Sequence, residues 1–142
     1  MNHNLYKDIL NGKQNRKKSF AVLIDPDKTK PEQADALMER CNESEVDLIL
    51  VGGSLVVSEH LETLVQEIKK NSDIPIALFP GSPSQVTPCA DALLYLSLIS
   101  GRNAELLIGQ HVISAPIVRK SGLEILSTGY MVIEGGAPTT VS

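Results

Sequence analysis

The sequence is poor in the residues that would indicate a metal-stapled, secreted or membrane-spanning protein. It has no tryptophan and only two cysteines, Cys41 and Cys89, which lack the C-x-x-C or Cys/His spacing of a zinc site. This favours reduced thiols in a cytoplasmic protein. No stretch reaches the ~18 uninterrupted apolar residues of a spanning helix, and residues 1–18 lack the apolar region of a signal peptide. A soluble protein is therefore expected.

Positive charge is also scarce. The formal net charge is −4 and the pI is about 5.3, which argues against a general nucleic-acid-binding surface, since such a surface concentrates Lys and Arg. The chain of 142 residues is 42% hydrophobic and 21% charged, the composition of an ordinary globular domain. We expect one domain over residues 1–142.

Short apolar segments alternate with helical patterns along the chain. Phe20–Ile24 and Asp47–Val51 have the length of strands buried on both faces. After the first, Thr29 and Glu32 match a capping box with Pro31 in the first turn, and a helical stripe follows. After the second, Leu61, Leu64, Val65 and Ile68 mark another helix, with Ser58 as its cap. The order is strand, helix, strand, helix.

Three further strands are predicted, at Ile74–Phe79, Ala92–Ile99 and Glu124–Glu134. Only about ten residues, broken by Pro83 and Pro88, connect the third strand to the fourth, so a loop or single turn is expected there instead of a helix. The fourth strand is followed by a helix capped by Asn103, which should stop before Pro116, with Gly122 as a later stop signal. Thr139–Val141 resembles the second arm of a hairpin.

This alternation fits two architectures, an open doubly wound sheet and a (β/α)₈ barrel. In both, polar residues at the carboxyl ends of the strands form the expected site, because the loops there converge on one face.

Polar residues follow the predicted strands at this edge. Asp25 comes directly after the first strand, in Asp25-Pro26-Asp27-Lys28, and a carboxylate held this way suits Mg²⁺, although an Asp-Pro turn explains it equally well. Gly52-Gly53-Ser54 ends the second strand, where glycines let a ligand approach the backbone and a hydroxyl can reach a metal or a phosphate. A glycine turn capped by Ser54 is the structural alternative.

The ends of the third and fourth strands add Phe79-Pro80-Gly81-Ser82 and Ser100-Gly101-Arg102-Asn103. Arg102 supplies a cation for an anionic substrate, or is simply solvent-exposed. His60 and His111 fall within predicted helices and have no partner in the sequence, which favours surface or packing roles over catalysis.

Taken together, these segments resemble the geranylgeranylglyceryl phosphate synthase and heptaprenylglyceryl phosphate synthase family. The resemblance rests on Phe20–Lys28, Val51–Ser54, Ala77–Ser82 and Leu96–Asn103, and continues through Ile108–His111 and Thr128–Tyr130. It covers nearly all of residues 18–142 and is closest to the branch found in some bacteria and many archaea.

The resemblance implies a TIM-type (β/α)₈ barrel, represented here by its first five strands, in which the third helix is replaced by an irregular segment. It places the Mg²⁺ ligands at Asp25 and Ser54. Contacts to the prenyl diphosphate are expected from residues at the strand ends, namely Lys28, Gly53, Gly81, Arg102 and Asn103. The implied reaction is attack of the C3 hydroxyl of sn-glycerol 1-phosphate on C1 of a polyprenyl diphosphate, with loss of pyrophosphate.

The chain departs from the family in length, since a TIM barrel has about 250 residues. The family's Tyr-x-Glu-Ala-Gly strand end, whose glutamate is expected to assist deprotonation, and two later glycine-rich phosphate loops have no match here. The catalytic residue is therefore unassigned. We expect a truncated chain with the metal and diphosphate half-site, most of the prenyl groove and no glycerol phosphate site, inactive alone.

Two other readings stay open. One is a different phosphate-handling (β/α) enzyme, such as an isomerase or aldolase, in which Asp25 or Lys28 does acid–base work; no Schiff-base lysine is evident within a strand. The other is a non-catalytic fragment that binds prenyl diphosphate. The resemblance also implies a homo-oligomer at full length and transient contact with a membrane through the lipid substrate.

Overall fold

The computed structural model describes residues 4–53, 60–133 and 136. Within these residues, five strands alternate with helices. The elements in chain order are α1 (Leu5–Gln14), β1 (Ala21–Ile24), α2 (Ala34–Glu43), β2 (Leu48–Gly53), α3 (Leu61–Asn71), β3 (Ile76–Pro80), β4 (Ala92–Leu98), α4 (Gln110–Ser121) and β5 (Glu124–Tyr130).

The five strands form one parallel sheet in the order β1-β2-β3-β4-β5. Each strand lies beside its predecessor, so every connection moves across the sheet in the same direction. A doubly wound sheet would reverse its strand order at a switch point. The order is instead that of the first five strands of a (β/α)₈ barrel, which confirms the expected fold class.

The two faces of the sheet carry different apolar clusters. One face packs against the helices through side chains such as Ile24, Ile49 and Leu78, together with Met38 of α2 and Leu64 of α3. The other face, which corresponds to the barrel interior, carries a smaller cluster around Leu5, Ala77, Ala92 and Leu126. Burial on both faces explains the apolar runs of the three inner strands, β2, β3 and β4. The expected burial of Phe20–Ile24 on both faces is wrong, because β1 lies at an edge of this sheet and its Leu23 is 53% exposed.

Helix α1 closes the amino-terminal end of the sheet. Its Leu5 side chain is buried against the barrel-interior cluster. The two carboxylate oxygens of Glu124, the first residue of β5, accept hydrogen bonds from the backbone N–H groups of Leu5 (2.7 Å) and Tyr6 (2.9 Å). Glu124 thus satisfies two of the helix's four unpaired N–H groups.

The connection from β3 to β4 contains no helix. Residues 81–91 run through turns and bends, as the spacing of Pro83 and Pro88 predicted. The irregular third connection is confirmed.

The predicted start of α2 is wrong. A 3₁₀ turn at Pro31–Gln33 precedes the helix, and the Gln33 side chain accepts a hydrogen bond from the Lys30 N–H at 2.8 Å. The reason is steric: a residue before proline is driven to extended backbone, and Lys30 has φ −81° and ψ 151°. A helix capped by Thr29 would have Lys30 as its first residue, and Lys30 would then need helical backbone angles.

Of the two stop signals predicted for the helix after β4, Pro116 is wrong and Gly122 is confirmed. Asn103 does cap the start, since its Oδ1 accepts from the Glu105 N–H at 3.0 Å. Pro116, however, lies inside α4, which runs on to Ser121 and ends at Gly122 with a left-handed φ of 72°. Pro116 deprives only the Val112 carbonyl of a partner, and Val112 is exposed, so water can take that place.

Strand β5 is shorter than predicted, because it ends at Tyr130 and not at Glu134. Beyond Tyr130 the backbone leaves the ladder, and the Val132 N–H bonds to the Ser100 hydroxyl at 2.9 Å. The predicted hairpin arm at Thr139–Val141 and the predicted cap Ser58 lie outside the described residues.

Candidate functional site

The carboxyl ends of the parallel strands meet along one edge of the sheet, where most of the predicted site residues lie. Asp25 follows β1, Gly53 ends β2, Gly81 follows β3, and Arg102 and Asn103 come shortly after β4. The topology therefore brings all of these residues to one edge. Ser54, the second predicted Mg²⁺ ligand, lies outside the described residues.

Asp25 is fixed by the turn that it begins. Its Oδ1 accepts from the Asp27 N–H at 3.0 Å, and its Oδ2 pairs with Lys28 Nζ at 3.0 Å. Its backbone oxygen accepts from the N–H groups of Lys28 and Thr29. The Lys28 side chain is 81% exposed, so the ion pair adds about 1 kcal/mol or less to stability. The turn's value lies in holding a carboxylate and an ammonium group together.

The donor set at Asp25 fits a magnesium ion that is shared with a substrate. Among the residues that the structure describes, Oδ1 accepts one hydrogen bond and Oδ2 makes one ion pair, so both oxygens keep lone-pair capacity for a hard cation. No group of three His, Cys, Asp or Glu side chains converges anywhere in residues 4–53 and 60–133. Mg²⁺ is often held by one or two carboxylates together with waters and substrate phosphates. Asp25 suits that arrangement.

Gly52 and Gly53, at the end of β2, have different roles beside β3. Gly52 has φ +150°, and a Cβ atom there would lie 2.0 Å from the Phe79 carbonyl oxygen. Gly53 is paired with Pro80, which places it next to Gly81. Gly52 is therefore needed for strand packing, whereas Gly53 lies at the end of the strand where a ligand can reach it.

The Gly81 amide is already paired. Its N–H donates to Gln85 Oε1 at 2.9 Å, and the Gln85 side chain is buried, with the residue 5% exposed. Any contact of Gly81 with a substrate would therefore come from close backbone approach and not from a free N–H. Sequence reasoning missed Gln85, since nothing in the pattern distinguishes it from other polar loop residues.

Arg102 and Asn103 play different parts after β4. The Asn103 backbone oxygen accepts from the N–H groups of Leu106 and Leu107 at 3.1 Å, in addition to the side-chain cap. Arg102 is exposed, and within the part of the chain that the structure describes it makes no hydrogen bond or ion pair. Its guanidinium is free to meet an anion at this edge.

An apolar groove opens beside this edge, between β3 and β4. The two strands pair only at Ala77↔Ala92 and Leu78↔Leu93. Farther along, β3 stays paired with β2 as far as Pro80, and β4 stays paired with β5 as far as Leu98. The cavity has a volume of 140 Å³, and its mainly apolar lining includes Phe79, Pro83, Val86, Leu93, Leu96, Leu106, Val118 and Tyr130. We refer to this cavity as the groove.

One wall of the groove carries a polar cluster from β4 and α4. The Tyr95 hydroxyl donates to the His111 backbone oxygen at 2.8 Å and lies 3.2 Å from the Ser114 hydroxyl. The Tyr95 and His111 rings stack, with centroids 4.1 Å apart. The sequence assigned His111 a surface or packing role, and its packing is confirmed. Tyr95 was hidden within an apolar run, and Ser114 carried no signal.

Two aromatic residues stand at the mouth of the groove. Phe79 on β3 and Tyr130 at the end of β5 make an edge-to-face contact, with centroids 5.7 Å apart. Their contact spans β4, which lies between β3 and β5 in the sheet. The sequence drew attention to Phe79 as part of the third strand end and to Tyr130 only through the family resemblance.

Comparison with known proteins relates this edge and groove to a family. The protein is 60% identical over all 142 residues to the geranylgeranylglyceryl phosphate synthase of Chitinophaga pinensis, of which the match covers 56%. It is 42% identical over 125 residues, or 87% of this chain, to the Pyrococcus horikoshii protein of the same name, of which 49% is covered. The chain spans about half the length of the curated relatives it matches.

The fold matches solved structures as well. A (S)-3-O-geranylgeranylglyceryl phosphate synthase from Thermoplasma acidophilum, in complex with its substrate sn-glycerol-1-phosphate, superposes with a TM-score of 0.87 at 27% identity. The match covers 94% of this chain and 54% of that one.

None of the described helices has the length and apolar character needed to span a bilayer.

The model of the PcrB family matches residues 13–141, which include all five strands, the Asp25 turn and the groove. The chain belongs to the PcrB family.

Proposed function

We propose that this chain carries the prenyl diphosphate half of a geranylgeranylglyceryl phosphate synthase. Such an enzyme transfers a geranylgeranyl or similar polyprenyl group from its diphosphate to the C3 hydroxyl of sn-glycerol 1-phosphate. The observation that supports this most is the apolar groove, which opens at an edge where Lys28 and Arg102 supply positive charge. A substrate with an anionic head and a long apolar tail suits both parts.

The groove suits the prenyl tail for a physical reason. Its lining is mainly aliphatic and aromatic. A hydrocarbon chain that enters the groove is therefore stabilised by about 25 cal/mol for each Å² of apolar surface that is removed from water. The head remains at the strand ends, where Lys28 and Arg102 can pair with its phosphate oxygens. Excluding water from the groove also limits hydrolysis of the activated substrate.

Asp25 would hold the Mg²⁺ ion, with Ser54 proposed as the second ligand. When bound there, the ion neutralises charge on the departing pyrophosphate. Asp25 is kept in place by the Asp27 N–H and by Lys28. Gly53 and Gly81 allow the diphosphate to approach the backbone, and Asn103 orders the loop that bears Arg102.

In the proposed transfer, the bond between C1 and the diphosphate oxygen breaks and a bond from the C3 oxygen to C1 forms. The hydroxyl proton passes to a base. No residue that the structure describes is assigned to that role. The Thermoplasma acidophilum relative binds sn-glycerol-1-phosphate, and we propose the same acceptor here. A cytoplasmic location, a homo-oligomer and transient membrane contact through the lipid substrate belong to the same proposal.

The test is to incubate the protein with radiolabelled sn-glycerol 1-phosphate, geranylgeranyl diphosphate and Mg²⁺, and to extract a labelled prenyl ether. Magnesium-dependent product supports the proposal. Magnesium-dependent binding of the diphosphate without product supports the non-catalytic binding reading, and the absence of both contradicts the proposed site.

In the completed enzyme, Asp25→Asn should reduce kcat/KM at limiting Mg²⁺ by about a hundredfold or more, which corresponds to about 3 kcal/mol of transition-state stabilisation. Asp35→Asn, on the exposed face of α2, is the matched control and should leave the rate unchanged. An unchanged rate in Asp25→Asn would remove Asp25 from the metal site.

A further inference from the structure

We propose that His111 is a positioning residue that replaces the third strand as the hydrogen-bond partner of β4, and thereby keeps a passage open through the sheet for the prenyl tail. This inference rests on the proposed function and concerns how the groove is kept open.

Alternate residues of a parallel strand direct their N–H and C=O groups to opposite neighbours. The Asp91 carbonyl accepts from Glu124 of β5 at 3.2 Å, and the Ile99 N–H donates to Tyr130 of β5 at 2.9 Å. These two bonds flank β4, and the Asp91 N–H, just before the strand, still donates to Ile76 of β3 at 2.9 Å. The β4–β5 register is unbroken from Ala92↔Glu124 to Leu98↔Tyr130, so the odd-numbered residues from Leu93 to Ser97 face β5. Leu96 is even-numbered, and its backbone groups therefore face β3.

Strand β3 does not reach Leu96. The β3–β4 pairing stops at Leu78↔Leu93, three residues before it. A backbone carbonyl left unpaired beside an apolar cavity is costly, which is why nearly all buried carbonyls find partners. His111 Nε2 lies 2.6 Å from the Leu96 oxygen. Because a carbonyl oxygen only accepts, Nε2 must carry the hydrogen.

The start of α4 is shaped to place His111 there. Residues Glu105–Gly109 form a π-helical turn, whose wider backbone shifts the register of the helix that follows. The Ser97 hydroxyl donates to the Leu107 oxygen at 3.0 Å. Together with the bond from Tyr95 to the His111 oxygen and the ring stack, this ties the first turns of α4 to β4.

An imidazole satisfies Leu96 differently from a strand. A strand at hydrogen-bonding distance would lie about 4.8 Å from β4 and would close the opening. The His111 side chain reaches Leu96 from the helix layer and pairs its carbonyl while β3 stays apart. If the donor is removed, Leu96 must take up water in the groove or move toward β3, and both changes disfavour an apolar tail.

The test compares two substitutions of His111. His111→Phe keeps a ring that can stack on Tyr95 but removes the N–H donor, whereas His111→Gln keeps an amide donor near the position of Nε2. The probes are geranylgeranyl thiodiphosphate, which resists transfer, and inorganic pyrophosphate, both with Mg²⁺.

We expect His111→Phe to weaken binding of the thiodiphosphate about tenfold while pyrophosphate affinity changes less than about twofold. His111→Gln should recover the affinity to within about threefold of the original protein. Equal affinity of His111→Phe and the original protein, or an equal loss for both probes, would overturn the inference.

A measurement on the unaltered protein keeps the inference testable if His111→Phe fails to fold. Long-range ¹H–¹⁵N correlation spectra report which ring nitrogen of His111 carries the proton. We expect a protonated Nε2, and a bare Nε2 would overturn the inference.

The proposed function and the role of His111 can fail separately. If the protein binds the thiodiphosphate but forms no ether from geranylgeranyl diphosphate, only the proposed transfer is contradicted. If ether forms but His111→Phe binds the thiodiphosphate as tightly as the original protein does, only the role of His111 is contradicted.

Discussion

Strand β3 has two neighbours in the sheet, and it is joined to them very differently. It pairs with β2 along five residues, from Ile49↔Ile76 to Gly53↔Pro80, but with β4 along only two. The first pairing is so close that only glycine fits at position 52. The second opens into the groove. One strand thus separates a closely paired region from the groove that we propose as the binding site, and substitutions should distinguish the two.

The largest effect is expected from Gly52→Ala on the closed side. The added Cβ would lie 2.0 Å from the Phe79 oxygen, at a φ of +150°, so the two strands must separate. We expect a loss of more than about 3 kcal/mol in the free energy of unfolding, or no folding at all. Urea denaturation followed by circular dichroism measures this.

Two other glycines serve as controls. Gly122→Ala has the left-handed φ of 72° but open space around it, so its cost should be about 1 kcal/mol. Gly12→Ala lies within α1 with no close contact and should be neutral or stabilising by up to about 1 kcal/mol. Equal effects at all three positions would show that steric contact with β3 is not the cause.

The next effect compares two leucines on the two sides of β3. Leu78 is 0% exposed, so Leu78→Ala should cost about 2–5 kcal/mol in the free energy of unfolding. Leu96 is half-buried and lines the groove. Leu96→Ala should cost less stability and weaken geranylgeranyl thiodiphosphate binding more than Leu78→Ala does. Thermal unfolding measures the stability of both variants, and calorimetric titration measures their affinity for the thiodiphosphate. If Leu96→Ala weakened this binding no more than Leu78→Ala, the groove would not be the tail site.

A smaller effect is expected at the closed amino-terminal end of the sheet. Glu124→Gln keeps one side-chain acceptor for α1 but loses the second and the negative charge at the helix start. The cost should be about 1 kcal/mol in the free energy of unfolding, measured by urea denaturation. Glu67→Gln, which breaks only the surface pair with Lys70, is the control and should change stability by about 0.5 kcal/mol or less.

The smallest effect concerns Asp47, just before β2. The hydrogen bond from Lys17, and then that from the Phe20 N–H, lower the pKa of the Asp47 carboxyl, and the same pair raises the pKa of Lys17. The Asp47 carboxylate therefore stabilises the fold above the ordinary Asp pKa of about 4, and its contribution is lost as the pH falls through the lowered Asp47 pKa. The Lys17 ammonium stabilises the fold below the ordinary Lys pKa of about 10.4, and its contribution is lost as the pH rises through the raised Lys17 pKa.

Asp47→Asn should therefore lower the melting temperature slightly at neutral pH, and by progressively less as the pH falls through the lowered Asp47 pKa. Thermal unfolding across a pH series measures the difference between the two proteins. A difference that persists unchanged at the lowest pH would indicate that the carboxylate charge is not responsible.

The contrast around β3 also shows what the sequence could predict. Apolar runs located all five strands, and the prolines of the third connection predicted its irregular path. The distance between β3 and β4 could not be predicted, because Leu94 and Leu96 have the same apolar character whether or not a strand lies beside them. The π-helical turn and the start of α4 lie where β4 contacts them: Ser97 and Tyr95 donate to the backbone oxygens of Leu107 and His111, and the His111 ring bonds to the Leu96 oxygen. A linear sequence pattern does not predict such tertiary contacts.

The candidate site was predictable in position more than in detail. Asp25 followed from its place directly after a buried strand. The pairing of Gly81 with Gln85 was not foreseen, because it depends on a side chain that folds back across a turn. The roles of Lys28, Gly53, Arg102 and Ser54 in binding stay predictions.

The bonds from Leu5 and Tyr6 to Glu124 join residues 119 and 118 positions apart. On a ribosome that adds roughly 5–20 residues per second, Glu124 is made roughly 6–24 s after Leu5. A ten-residue helix is marginal in water by itself. Helix α1 is therefore secured more than a hundred residues after it is made, and until β5 emerges the nascent chain exposes the barrel-interior cluster that Leu5 will cover.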